Sequence, residues 1–253
     1  MMATHPILTI NSLSLATTSK EPLVSNVSFS LGKGESLGLV GESGSGKSLT
    51  LRAILGLLPR GVEQSGGVIE TAASSAMVFQ DPRGALDPLC PVVNQLAEVV
   101  YYRQRVGRKA SRKIALELLE MLGLPESLKK ADRYPSQLSG GQCQRVVIAM
   151  ALACKPDILL CDEPTTALDV TVQRQIIETI TRLQNELGFA MVFVTHNLAI
   201  AANLCSKLCV MKQGRIVEHG ETQQLLHNPS DPYTQMLIDS VLPLPELEGS
   251  EAE

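Results

Sequence analysis

A chain of 253 residues, 44% hydrophobic and 19% charged, can bury one large domain or two modest ones. Its formal net charge of −4 gives no electrostatic case for nucleic acid or an anionic membrane as partner. The longest apolar run, Val146 to Cys154, ends at Arg145 and Lys155 and is less than half a bilayer crossing; MMATHPILT shows no secretory pattern, so neither span nor signal is expected.

In chain order, LTINSLSL (8–15) reads as a strand, and SLGLV (36–40) as a second, apolar one. The second runs into Gly41-Glu42-Ser43-Gly44-Ser45-Gly46-Lys47-Ser48, which fits GxxxxGK[S/T]. LTLRAILGLL follows as an apolar helical stretch. Glycines let backbone N–H groups converge on phosphates, and a helix N-terminus adds a favourable dipole. A Gly/Ser surface loop would fit the eight residues alone, but not their strand and helix flanks. Residues 41–48 are therefore expected to bind a nucleoside triphosphate, with Lys47 reaching the β- and γ-phosphates and Ser48 on Mg²⁺.

AMVF (76–79) is the next strand. From about Asp81 to Leu152 the sequence offers helices and loops but no strand, which predicts a helical subdomain inserted into an α/β core. Within it Ile114, Leu118, Met121 and Leu122 keep a helical period. DILLCD (157–162) is an apolar strand ending in the adjacent acids Asp162 and Glu163. Beside a phosphate loop, Asp162 is placed to support Mg²⁺ and Glu163 to polarise an attacking water.

Ile176, Ile177, Ile180, Leu183 and Leu187 mark a helix over 170–188 closed by Gly188. Strands AMVFVT (190–195), KLCVMK (207–212) and RIVEHG (215–220) complete the series, and residues 243–253, Pro-rich and acidic, are expected to be disordered. Strand–helix alternation predicts an α/β fold with a mostly parallel sheet covered by helices. The six cysteines form no CxxC pair or zinc-like cluster and read as reduced, structural thiols; His5, His219 and His227 read as isolated surface residues.

Leu138-Ser139-Gly140-Gly141-Gln142, followed by CQRVVIAMALACKPDILLCDEPTTALD, resembles the ATP-binding cassette (ABC) transporter ATPases over residues 7–241. LSGGQ is similar to their signature, CDEP to their Walker B end, and Thr166-Ala167-Leu168-Asp169 to their D-loop; Gln80 falls at the Q-loop glutamine and His196 at the switch histidine. The resemblance implies an ABC ATPase fold: a P-loop NTPase core with an N-terminal antiparallel β part (7–80 and 155–220), a helical subdomain (about 81–154) and a C-terminal helical segment (221–242), together one nucleotide-binding domain. It implies ATP and Mg²⁺ as cofactors, with Ser48, Gln80 and Asp162 toward the metal and Glu163, His196 and Gln80 in hydrolysis. It also implies a head-to-tail dimer in which Leu138–Gln142 complete a partner's site. Locally, Ser-Gly-Gly fits a plain helix cap equally well.

GESGSGKSLT, FQDPRGALDP, Tyr134-Pro135 and the ending NPSDPYT look like the ATPases of bacterial peptide and nickel importers, in the D-type form that pairs with a different, F-type cassette. Many D-type peptide subunits carry a further C-terminal extension with clustered cysteines; this chain stops short of it, and the shorter form is similar to nickel import ATP-binding proteins. The family's adenine-stacking aromatic should fall near Ala16-Thr17, where LSLATTSKEPL has none. The implied assembly is an importer on the cytoplasmic face of the membrane, with two separate permease subunits, a periplasmic or lipoprotein solute-binding protein and no nucleic acid. The alternatives are an exporter cassette and a non-transport ABC ATPase. The cargo, nickel or peptide, is left open.

Overall fold

The computed structural model describes residues 5–130, 133–166 and 168–240. Residues 243–253, Ala167 of the D-loop and Leu242 lie outside the described residues.

Three strands, β1 (Leu8–Thr17), β2 (Pro22–Leu31) and β4 (Val62–Thr71), make an antiparallel sheet in the order β2-β1-β4. A six-stranded sheet adds β3 (Ser36–Val40), β5 (Ser75–Val78), β6 (Ile158–Asp162), β7 (Ala190–Thr195), β8 (Lys207–Lys212) and β9 (Arg215–Glu221). Its order is β5-β6-β7-β3-β8-β9, parallel throughout except that β9 returns antiparallel to β8 through Gln213-Gly214.

Two of these strands are absent from the sequence reading. In β2, Val27, Phe29 and Leu31 are buried in alternation, the period-2 signal of a one-sided strand. β4 has no such signal: VEQSGGVIET has no fully buried residue and holds its place by pairing with β1.

The inner strands of the large sheet are covered on both faces, so they are buried along their length and mostly apolar, and alternate residues enter different cores. Leu159 and Cys161 of β6 and Met191 and Phe193 of β7 pack on one side; Ile158, Leu160, Val192 and Val194 pack on the other. The second side holds α1 (Lys47–Ile54) and the antiparallel sheet, through Leu51, Ile54, Leu13, Leu15 and Val27. Each side chain so buried is worth about 1.5–3 kcal/mol of hydrophobic free energy.

The first side is built by α2 (Val92–Gln104), α3 (Arg108–Met121), α4 (Glu126–Lys130), α5 (Gly140–Ala153), α6 (Val170–Leu187), α7 (Leu198–Leu204) and α8 (Thr222–His227). A 3-10 turn, Pro135–Gln137, precedes α5, and among the described residues between β5 and β6 there is no strand. In α3 the buried residues are Ser111, Ala115 and Leu119; of the expected set Leu122, at the helix end, is buried with them, while Ile114, Leu118 and Met121 sit half-buried at the border. In α6, Ile176, Ile180 and Leu183 face the core, while Leu187, at the last turn before the left-handed Gly188, is exposed.

The last element among the described residues is α9 (Pro232–Ser240). Asp231 starts it: its carboxylate accepts the Tyr233 N–H at 2.8 Å, and Pro232 occupies the first turn, where a missing N–H costs nothing.

Candidate nucleotide site

In the parallel sheet Val40 pairs with Thr195 and Asp162 with Val194, so β3, β6 and β7 end level with one another. Ligand crevices form at such carboxyl edges. Residues 41–48 follow β3, Asp162 ends β6 with Glu163 just beyond it, and His196 follows β7. A cavity of about 670 Å³ lies there, lined by Leu23, Glu42, Ser43, Gly44, Gly46, Lys47, Ser48, Leu49, Gln80, Glu163, Thr166, His196 and Leu237.

Two glycines set the loop's path. Gly41 has φ +151°, and a Cβ there would lie 2.0 Å from the Met211 carbonyl oxygen; Gly46, at φ +98°, would drive one into Met211 and Val24 at 2.9 Å. No larger residue fits either place. The β8–β9 turn braces the loop, since Gly214 N–H donates to the Ser45 carbonyl at 3.1 Å. Lys47 is 4% exposed and curls over the loop, its Nζ donating to the carbonyls of Gly41 (2.8 Å) and Glu42 (2.6 Å). Burial lowers its pKa; Glu163, Asp162 and Glu42 work in the opposite direction.

Ser48 Oγ donates to Asp162 Oδ1 at 2.6 Å. Asp162 is 2% exposed, and burial raises its pKa against the Ser48 hydrogen bond and the Arg52 and Lys47 charges. Glu163 takes φ +44°, a left-handed backbone fixed by its N–H to the Val194 carbonyl at 3.0 Å. That turn carries the second acid off the strand and into the cavity wall, at a cost of about 1–3 kcal/mol for a non-glycine residue. Glu163 Oε2 accepts from Thr166 Oγ1 at 2.7 Å and lies 3.2 Å from His196 Nδ1. Gln80, exposed after β5, lines the same cavity.

The signature segment is elsewhere: none of Leu138, Ser139, Gly140, Gly141 and Gln142 lines this cavity. Ser139 caps α5 reciprocally, accepting the Gln142 N–H at 3.2 Å while its own N–H reaches Gln142 Oε1 at 3.0 Å. Gly141 packs on α6, where a Cβ would meet Val172 Cγ1 at 2.5 Å; Gly140 is partly exposed. Of the D-loop residues, Leu168 is half-buried and Asp169 caps α6 by accepting the Val172 N–H at 3.0 Å.

Sequence reasoning did not find Leu23, Thr166 or Leu237 on the cavity wall, nor Tyr233, whose hydroxyl accepts the Glu42 N–H at 3.0 Å. Thr166 had a signal in the run after Glu163; the other three are brought in by the antiparallel sheet and α9. Ala16 is buried and is not among the lining residues.

A parallel sheet whose inner strand feeds a glycine phosphate loop, with paired acids at the end of a nearby strand, defines a P-loop nucleotide-binding protein. The chain belongs to the ABC transporter family, as an ATP-binding component: that family's sequence model matches residues 24–166. A second model, described as the C-terminal region of oligopeptide/dipeptide transporters, matches residues 217–252, a stretch that contains the NPSDPYT ending.

It is 41% identical to the oligopeptide transport ATP-binding protein AmiE of Streptococcus pneumoniae, over 89% of this chain and 69% of that one. It is 40% identical to the oligopeptide transport ATP-binding protein OppD of Bacillus subtilis, over 91% and 68%. With the glutathione import ATP-binding protein GsiA of Pectobacterium atrosepticum it shares 42% identity over 89% of this chain, which spans only 40% of that protein. Among solved structures it is similar to a dimeric ATP-binding cassette, MJ0796, in a post-hydrolysis state bound to ADP and Pi (TM-score 0.74, 29% identity, 85% of this chain and 98% of that one). It is also similar to cbiO1 of Clostridium perfringens, part of the transporter complex cbiONQ (TM-score 0.77, 27% identity, 88% and 91%).

Proposed function

We propose that this chain is the ATP-hydrolysing subunit of an importer for peptides or peptide-like solutes. The observation that carries the catalytic part is Glu163, set on the phosphate-loop cavity between Thr166 and His196, one residue beyond the Ser48–Asp162 pair. Peptide cargo rests on the AmiE, OppD and GsiA relatives and on the C-terminal match. Nickel, the other cargo suggested by the motifs, has no such support among these relatives.

In this mechanism backbone N–H groups of residues 44–48 and the Lys47 ammonium hold the triphosphate, phosphate oxygens replacing the loop carbonyls as Lys47 partners. The Ser48 hydroxyl, the buried Asp162 carboxylate and the Gln80 amide form an all-oxygen set suited to a hard cation, and these residues would hold Mg²⁺. Bound there, Mg²⁺ would supply positive charge against the β- and γ-phosphate oxygens. Glu163 orients the lytic water and takes its proton, and His196 and Thr166 fix the carboxylate.

Ser139, Gly140 and Gly141 lie outside the chain's own cavity, which favours a second, head-to-tail cassette, here assigned as F-type, whose nucleotide they contact. No helix among the described residues is long and apolar enough to cross a membrane. Attachment to the cytoplasmic face would come from two permease subunits, with a solute-binding protein delivering cargo.

Uptake of radiolabelled di- and oligopeptides, glutathione and ⁶³Ni²⁺ by cells carrying the wild-type chain or Glu163→Gln tests this reading. ATP-dependent peptide or glutathione uptake lost in the variant supports it. Loss of nickel uptake alone reassigns the cargo, and unchanged uptake of all three overturns the proposal.

A further inference from the structure

One wall of the nucleotide cavity comes from none of the phosphate-binding motifs. Leu237 of α9 and Leu23 of β2, both half-buried, line it together with Leu49, adding apolar side chains to a cavity otherwise lined by Lys47, Ser48, Glu163 and His196 among others. Leu237 lies in the segment matched by the oligopeptide C-terminal model.

Helix α9 is tied to the loop rather than laid loosely on it. Tyr233, one turn before Leu237, is 4% exposed, and its hydroxyl accepts the N–H of Glu42, the second residue of the phosphate loop, at 3.0 Å. Lys212 Nζ, from the end of β8, sits 4.5 Å from the Tyr233 ring centroid, a cation–π contact. At the helix start Glu218 of β9 accepts from Ser230 N–H (2.7 Å), Ser230 Oγ (2.7 Å) and Asp231 N–H (3.1 Å). Both ends of the contact are therefore pinned to the strands that brace the loop.

Resting on the ATP-binding reading above, we propose that α9 is part of the nucleotide site. Leu237 and Leu23 form the surface that takes the base, and Tyr233 is a positioning residue that sets the loop through Glu42. With Ala16 buried and not among the cavity-lining residues, aliphatic side chains from two distant parts of the chain supply the base contact. A flat heteroaromatic base loses water against such a surface, but no donor or acceptor of either leucine can read its edge.

The experiment is calorimetric binding of ATP and of inorganic tripolyphosphate, each with Mg²⁺, to the full chain and its variants. Leu237→Ala and Leu23→Ala should each weaken ATP by about tenfold, the scale of a few lost methylene contacts, and leave tripolyphosphate within about twofold. Tyr233→Phe keeps the ring but removes the acceptor oxygen, and should weaken both ligands by about fivefold, one hydrogen bond's worth. Leu237→Met, which conserves volume, should restore ATP affinity.

Equal loss of ATP and tripolyphosphate in both leucine variants, or no loss in either, overturns the base assignment. Tyr233→Phe at wild-type affinity for both overturns the positioning role. Lys47→Ala is the control for the underlying reading, since wild-type affinity there would refute triphosphate binding itself while leaving the leucine result separately readable. If Leu237→Ala unfolds, Leu23→Ala and Tyr233→Phe decide.

Discussion

Ser48 Oγ and Asp162 Oδ1 lie 2.6 Å apart, so the first turn of α1 and the last residue of β6, far apart in sequence, meet in one hydrogen bond. Burial disfavours the charged form of Asp162, and a cation against it would offset that cost. Asp162→Asn should therefore leave the Mg²⁺-free affinity for ATP unchanged and reduce the Mg²⁺-dependent gain by about 10- to 100-fold, the worth of a lost charged contact. Titrating ATP with and without EDTA measures both. An undiminished Mg²⁺ effect would remove Asp162 from the metal set.

The glycine loop and the acid pair were legible because each is contiguous, within a few residues, and follows an apolar strand. Glu163's left-handed backbone was not, since it depends on the Val194 carbonyl of a neighbouring strand. Strand β4 carries Glu63, Gln64, Ser65, Gly66 and Gly67 where a buried face would be apolar, so only β1 reveals it. The base-facing wall was illegible for a different reason. Leu23 and Leu237 are ordinary aliphatic residues whose meaning arises when β2 and α9 reach the same cavity.

A base held by aliphatic contacts is bound without being read. GTP should compete with ATP better than at a site with a stacking ring, which is worth about 1–3 kcal/mol per base. Competition of GTP against a fluorescent ATP analogue measures this. A preference for ATP beyond about a hundredfold would mean that a polar group reads the base edge.

The docking of α9 has a pH signature. Partial desolvation raises the Glu218 pKa, but the Thr234 hydroxyl and the hydrogen bonds from Ser230 and Asp231 outweigh it and hold the carboxyl down to about 2, below its ordinary 4.5. A depressed carboxylate stabilises the folded state fully above about pH 4.5 and loses that contribution as pH falls through about 2. The melting temperature of Glu218→Gln should lie below wild type at neutral pH, with the gap closing between pH 4.5 and 2. A gap that stays constant across this window would separate Glu218's charge from stability.

Gly140 tolerates a side chain where Gly141 does not: a Cβ at Gly140 meets Leu168 Cδ2 at 3.4 Å, an ordinary contact. Gly140→Asp should fold and bind ATP normally, yet block hydrolysis at a partner cassette's site by setting a carboxylate against its γ-phosphate. Turnover in mixtures with a hydrolysis-competent partner tests this. Unchanged turnover there, or full activity from a strictly monomeric preparation, would contradict the shared site.

The central claim, that this chain hydrolyses ATP through Glu163, is tested most directly by ATPase turnover and ATP affinity measured on the same Glu163→Gln preparation, assembled with its partner subunits. The amide keeps size and the Thr166 contact but cannot take a proton from water. Turnover should fall by about 10²-fold or more, the scale of a lost acid–base group, with ATP affinity within a few-fold of wild type. Near-normal turnover would contradict the account.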